Sequence, residues 1–76
     1  MSKRVRPKAK ILIQFGKKVR EERTKLGLSQ EHVGERARLS RNYIGEIERG
    51  ETSVSLISIE RIAKALGVEM WQLMKF

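Results

Sequence analysis

Between Ser40 and Arg49 the chain gathers side chains suited to recognition rather than reaction: Ser40, Arg41, Asn42, Tyr43 and Glu46 all carry hydrogen-bonding groups. A guanidinium such as Arg41 pairs bidentately with guanine O6 and N7, and a carboxamide such as Asn42 with adenine N6 and N7. One such contact discriminates between bases by ~1–3 kcal/mol. Tyr43 suits a thymine methyl or a phosphate while its ring rests on a core, and Glu46 either accepts from cytosine N4 or is a solvated charge. No comparable set exists for making and breaking bonds. With a single histidine, His32, no Asp and no Cys, there is neither a Ser-His-Asp triad nor a Cys/His metal set, and no glycine loop of the phosphate-cradling kind. His32 reads as a surface residue; no enzymatic activity, cofactor or metal is expected.

Two helices must hold the recognising groups. Ser29 reads as the N-cap of the first, with Val33 and Ala37 four apart on its inner face, and Ser40 as the N-cap of the second, which Gly50 ends. Only Leu39 and its neighbours lie between them. Two short capped helices joined this tightly form a helix-turn-helix, whose second helix enters a DNA major groove by its first turn. On a wheel of about 100° per residue with Ile44 at zero, Ile47 and Tyr43 fall within about 100° of it, and Asn42, Glu46 and Arg49 fall opposite. Glu48 falls on the apolar side. An unpaired buried carboxylate costs several kcal/mol, so Glu48 needs a partner, and Arg23 in the last turn of the preceding helix is the expected one. Gly34 is also informative: a helix-interior glycine costs about 1 kcal/mol against alanine. Either another helix passes too close for a side chain there, or the glycine is a tolerated accident.

Around this pair, Ile11, Leu12, Phe15, Val19 and Leu26 recur near helical spacing before Gly27, predicting a first helix from Ile11 with a surface pair Glu21–Lys25. Ser55 opens a fourth helix in which Leu56, Ile59, Ile62, Ala63 and Leu66 keep the rhythm to Gly67. Val68 to Phe76 make a short fifth segment. No strand-like alternation occurs, so the class is all-α, a compact five-helix domain over residues 11–76. Residues 54–76 hold fourteen apolar residues in twenty-three, more than one flank of a small core requires. Ile57, Met70, Trp71, Met74 and Phe76 are therefore expected to close a homodimer, the alternative being that Trp71 and the methionines are ordinary core.

Seventy-six residues make one domain, and the net charge of +8 is unevenly spread. Lys3, Arg4, Arg6, Lys8 and Lys10 stand in a segment without acid, while residues 51–76 are neutral. Residues 1–10, which contain the only proline, read as a flexible basic arm that either tracks phosphates or a minor groove or is simply a disordered tail. A basic half joined to a neutral half points to a polyanion on one surface and something else on the other. Absence of cysteine, of an apolar membrane span and of a signal peptide leads to an expected cytoplasmic location, with no membrane partner.

Four motifs then converge: Arg-x-x-Arg-x-x-x-Gly at 20–27, Leu28-Ser29-Gln30-Glu31, Tyr43-Ile44-x-x-Ile47-Glu48-Arg49-Gly50, and Ile62-Ala63-x-Ala65-Leu66-Gly67-Val68. From Phe15 to Met74 the chain resembles the lambda-repressor-like, or xenobiotic-response-element, family of bacterial and phage helix-turn-helix regulators. Its length and the runs 40–44 and 53–59 look most like the controller proteins of restriction-modification systems. The resemblance implies that Gln30 bonds a phosphate, which a helix N-terminus favours in any case, and that Arg49, Thr52 and Ser53 are phosphate contacts. Two departures stand out. Arg38 occupies a turn position where relatives commonly carry a small residue such as Gly, so either it is strained at positive φ by roughly 1–2 kcal/mol or the turn differs. Trp71 sits one residue earlier than the tryptophan of many relatives.

The expected function is sequence-specific regulation of transcription by a homodimer on double-stranded DNA, reading a pseudo-palindrome and governed by its own concentration: a restriction-modification controller, a phage-type repressor or an antitoxin. The alternative of another class is a protein-interaction module whose apolar C-terminal helices hold a toxin or an RNA polymerase subunit.

Overall fold

The computed structural model describes residues 9–76, so the expected basic arm lies outside the described residues except for Ala9 and Lys10. Among the described residues the elements are α1 (Lys10–Lys25), α2 (Gln30–Ala37), α3 (Arg41–Glu48), α4 (Leu56–Leu66) and α5 (Met70–Leu73), with no strand. The all-α reading holds, and α1 opens one residue before Ile11. Three of these helices start on serine. Ser29, Ser40 and Ser55 accept, through Oγ, the backbone N–H groups of His32, Tyr43 and Ser58, each at 3.0 Å, an arrangement worth about 1 kcal/mol per cap. His32 is exposed, and its Nδ1 reaches back to the Ser29 N–H at 3.4 Å, completing a capping box.

The core draws on every helix: Phe15 and Val19 of α1, Val33 and Ala37 of α2, Ile44 and Ile47 of α3, Ile59, Ile62, Ala63 and Leu66 of α4, and Leu73 of α5. α2 packs on both α3 and α4, and α1 packs on α3. Two residues expected on the inner stripe of α1 are outside it. Ile11 is exposed, and Leu26 is the exposed C-cap, because the helix has already ended there. The Glu21–Lys25 pair does not form either. Lys25 instead reaches Glu22 at 3.2 Å, which Lys18 also approaches at 3.5 Å.

Gly34 does mark a close approach, but of a different kind from the one expected. A Cβ there would lie 2.6 Å from the Leu39 carbonyl oxygen, so the chain's own turn, and not another helix, excludes the side chain. Helix against helix occurs at Gly16, where a Cβ would collide with the carbonyls of Ile47 and Glu48. The turn itself settles the question at Arg38, whose φ of 60° and ψ of 42° are left-handed. It is the one non-glycine at positive φ among the described residues. Arg38 therefore carries the strain. In return the Leu39 N–H closes on the Gly34 carbonyl at 2.9 Å, which ends α2 sharply enough for Ser40 to begin α3.

Candidate nucleic-acid interface

Because Ser40 caps α3 and Ile44 and Ile47 anchor its inner side, the opposite side is left to polar groups. Arg41, Asn42, Glu46 and Arg49 are exposed on it, and Gln30, the first residue of α2, stands beside them half-buried. These five and Gly45 line one open cleft of about 310 Å³. The other four residues expected at the interface are placed differently. Ser40 spends its Oγ on the cap, and Tyr43 is half-buried with its side chain packed against the core. Thr52 and Ser53 occupy the loop between α3 and α4 and do not line the cleft. The Thr52 hydroxyl donates to the Ser53 carbonyl at 3.3 Å.

Gly45 is the member that sequence reasoning missed. It is buried under the cleft, and a Cβ on it would lie 3.0 Å from Arg49 Nη1 and 3.5 Å from Gln30 Oε1. The signal was available, since a glycine inside a short helix is what drew notice to Gly34.

Behind the cleft lies an ion pair spanning α1 and α3. Arg23 donates from Nε to Glu48 Oε2 at 2.6 Å and from Nη2 to Glu48 Oε1 at 2.9 Å, as expected for a carboxylate on the apolar side of α3. The Glu48 side chain is 4% exposed. Gln30 Nε2 adds a third donor at 3.1 Å to Oε1, and Arg23 Nη1 ties the start of α2 by donating to the Leu28 carbonyl at 2.9 Å. Among the described residues no buried side-chain nitrogen or oxygen lacks a partner. The hydrogen bonds that Arg23 donates to Glu48 raise the Arg23 pKa above its ordinary value, against the opposing effect of burial. The pair's contribution from Arg23 is thus fully present at neutral pH and would be lost only as pH rises past the guanidinium's own titration. At the cleft's edge Arg49 Nε meets Glu51 Oε2 at 3.0 Å, and that hydrogen bond is the first cause of a raised Arg49 pKa. Both guanidiniums are therefore cations at neutral pH.

The C-terminal helices show the opposite surface chemistry. Leu56, Ile57 and Trp71 are 72%, 63% and 61% exposed. Ile57 and Met70 share a shallow depression with Leu56 and Glu60, although Met70 is half-buried and packs partly on the core. Met74 lines a second apolar depression with Ile11, Leu12, Phe15, Val54 and Ile59. Phe76 stands apart from both, against Gln14, Lys17, Lys18 and Glu21 of α1.

A helix-turn-helix family model matches residues 19–70, from the second half of α1 to the start of α5. The chain belongs to the helix-turn-helix family. It is similar to the control protein C.BamHI of Bacillus amyloliquefaciens, 48% identical over 67 residues that cover 87% of this chain and 83% of that protein. C.MunI, a control protein of a Mycoplasma species, is 41% identical over 66 residues, covering 83% of this chain and 86% of its own. Among solved structures, the restriction-modification controller protein C.AhdI of Aeromonas hydrophila is 45% identical with a TM-score of 0.81, over 82% of this chain and 94% of that one. All five side chains of the cleft, Gly45 and both members of the Arg23–Glu48 pair fall inside the matched span of this helix-turn-helix protein. Among the described residues no helix is long and apolar enough to cross a membrane.

Proposed function

We propose that this helix-turn-helix protein is a sequence-specific DNA-binding transcription regulator of the restriction-modification controller type, acting as a homodimer on a pseudo-palindromic operator and governing its own synthesis. The observation that carries the reading is the cleft that unites Arg41, Asn42, Glu46 and Arg49, on the exposed side of a capped α3, with Gln30 at the start of α2. Arg41 and Asn42 stand at its N-terminal end, the part of a recognition helix that meets base edges. In this account Arg41 pairs with a guanine, Asn42 with an adenine, and Glu46 accepts from a cytosine. Tyr43 touches a thymine methyl or a phosphate, while Gln30, Arg49, Thr52 and Ser53 hold phosphates. Ser40 contributes by fixing the first turn of α3. The basic residues of 1–10 add unspecific attraction to the backbone, and residues 11–76 form the reading and dimerising domain.

The dimer surface is the apolar one around Ile57, Met70, Trp71 and Met74. Two such protomers would set their recognition helices in successive major grooves, roughly 34 Å apart. With dimerisation and DNA occupancy both set by mass action, the protein's own concentration is the control variable. Sedimentation at micromolar concentration is expected to give twice the 8.8 kDa of the chain. A monomer that becomes larger only with a second protein would support the interaction-module reading, which the same exposed apolar residues favour. Gel-shift titration with genomic fragments tests the central statement: a preferred fragment should survive excess competitor DNA at moderate salt, and equal retention of all fragments would refute sequence-specific binding.

A further inference from the structure

Glu48 serves the fold as the acid that Arg23 neutralises. Its hydrogen bonds show a second connection. One carboxylate accepts three donors, two from Arg23 at 2.6 and 2.9 Å and one from Gln30 Nε2 at 3.1 Å, and the third leads out into the cleft. Because a carboxylate only accepts, the nitrogen end of the Gln30 carboxamide must face it. That bond restricts the carboxamide, whose oxygen lies over Gly45, 3.5 Å from where a Cβ would stand. A glutamine is otherwise among the more rotamer-rich side chains, and ordering it at the moment of binding costs free energy.

On the reading of the cleft as the DNA interface, we infer that Glu48 is a positioning residue for DNA binding, acting through Gln30. The Arg23–Glu48–Gln30 chain runs through α1, α3 and α2, so the pair that joins the helices also presents the polar group at the N-terminus of α2. Gly45 belongs to the same arrangement, since a Cβ there would press on Arg49 Nη1 at 3.0 Å and come into contact with the Gln30 oxygen at 3.5 Å.

A double-mutant cycle separates this role from folding. Glu48→Gln leaves one accepting oxygen for three donors, so it should loosen Gln30 as well as weaken the pair with Arg23. Affinity for a selected duplex, measured at a temperature where every variant is folded, should fall roughly three- to tenfold in the otherwise unchanged protein. In a Gln30→Ala background the same substitution should leave affinity unchanged while still lowering the urea midpoint. Equal losses of affinity in both backgrounds, or none in either, would overturn the inference. If Glu48→Gln does not fold, side-chain 15N relaxation of the unmodified protein decides. An ordered Gln30 carboxamide, against a more mobile Gln14 on α1, supports positioning, and equal mobility overturns it. Failure of the unmodified protein to prefer any duplex would instead refute the DNA reading on which the cycle rests.

Discussion

The helix-turn-helix and the C-terminal helices use isoleucine in opposite ways. Ile44 and Ile47 of α3 are 0% and 1% exposed, whereas Ile57 of α4 is 63% exposed. In α3 the apolar residues are spent on the core, which leaves a polar outer face where Arg41, Asn42 and Glu46, with the C-cap Arg49 and Gln30 of α2, surround Gly45. In α4 and α5 the core is satisfied by Ile59, Ile62, Leu66 and Leu73, and large apolar groups remain in contact with solvent. A small domain buries only about 60% of its unfolded surface. Here the unburied apolar surface shares no residue with the polar cleft, so the two can meet different partners.

The largest expected effect tests that division with one residue type. Ile44→Ala should cost about 2–5 kcal/mol of unfolding free energy in urea. Ile57→Ala, followed at protein concentrations low enough for monomer, should stay within about 0.5 kcal/mol of the unchanged protein. Similar losses at both sites would erase the contrast.

Arg41→Ala reverses the readouts. DNA affinity should fall by ~1–3 kcal/mol, about 5- to 150-fold, and the preference at one base pair should relax while the urea midpoint stays where it was. An affinity loss uniform across all sequences would reassign Arg41 to a phosphate.

Smaller effects sharpen the comparison inside the motif. Gly45→Ala should stabilise the fold by up to about 1 kcal/mol through helix propensity, since the nearest atom to the added Cβ is the tip of Arg49. It should weaken DNA binding at the same time. Opposite signs in thermal melting and anisotropy titration would mark Gly45 as a residue of the site; matching signs would make it a packing residue like Gly16. Least of all, Arg38→Gly should raise the melting temperature slightly, because the relief of left-handed strain narrowly exceeds the extra chain entropy of glycine.

Much of this was legible in the sequence wherever the determining physics is local or compulsory. Three serines three residues ahead of the amides they cap announce helix starts through short-range chemistry. Glu48 announced its partner because a carboxylate on an apolar helix face has no cheap alternative to a base, and Arg23 lay within reach. The rest depended on how helices approach one another. Gly34 indicated a close contact but not its source, since the turn and a neighbouring helix leave the same mark on sequence. The cleft at Gly45 requires the start of α2 to be laid beside α3. Lys25 chose Glu22 over Glu21 because exposed pairs differ by only a few tenths of a kcal/mol. Phe76 shows the limit of composition: apolar content set it with Ile57 and Met70, and the fold carries it to α1.

The most direct test of the account is selection of bound duplexes from a random pool at about 0.15 M salt, repeated with Arg41→Ala. The account predicts a two-fold symmetric site with half-sites about ten base pairs apart, and a preference at one position in each half-site that Arg41→Ala loses. A pool that emerges without a preferred sequence, or one whose preference survives Arg41→Ala unchanged, would contradict it.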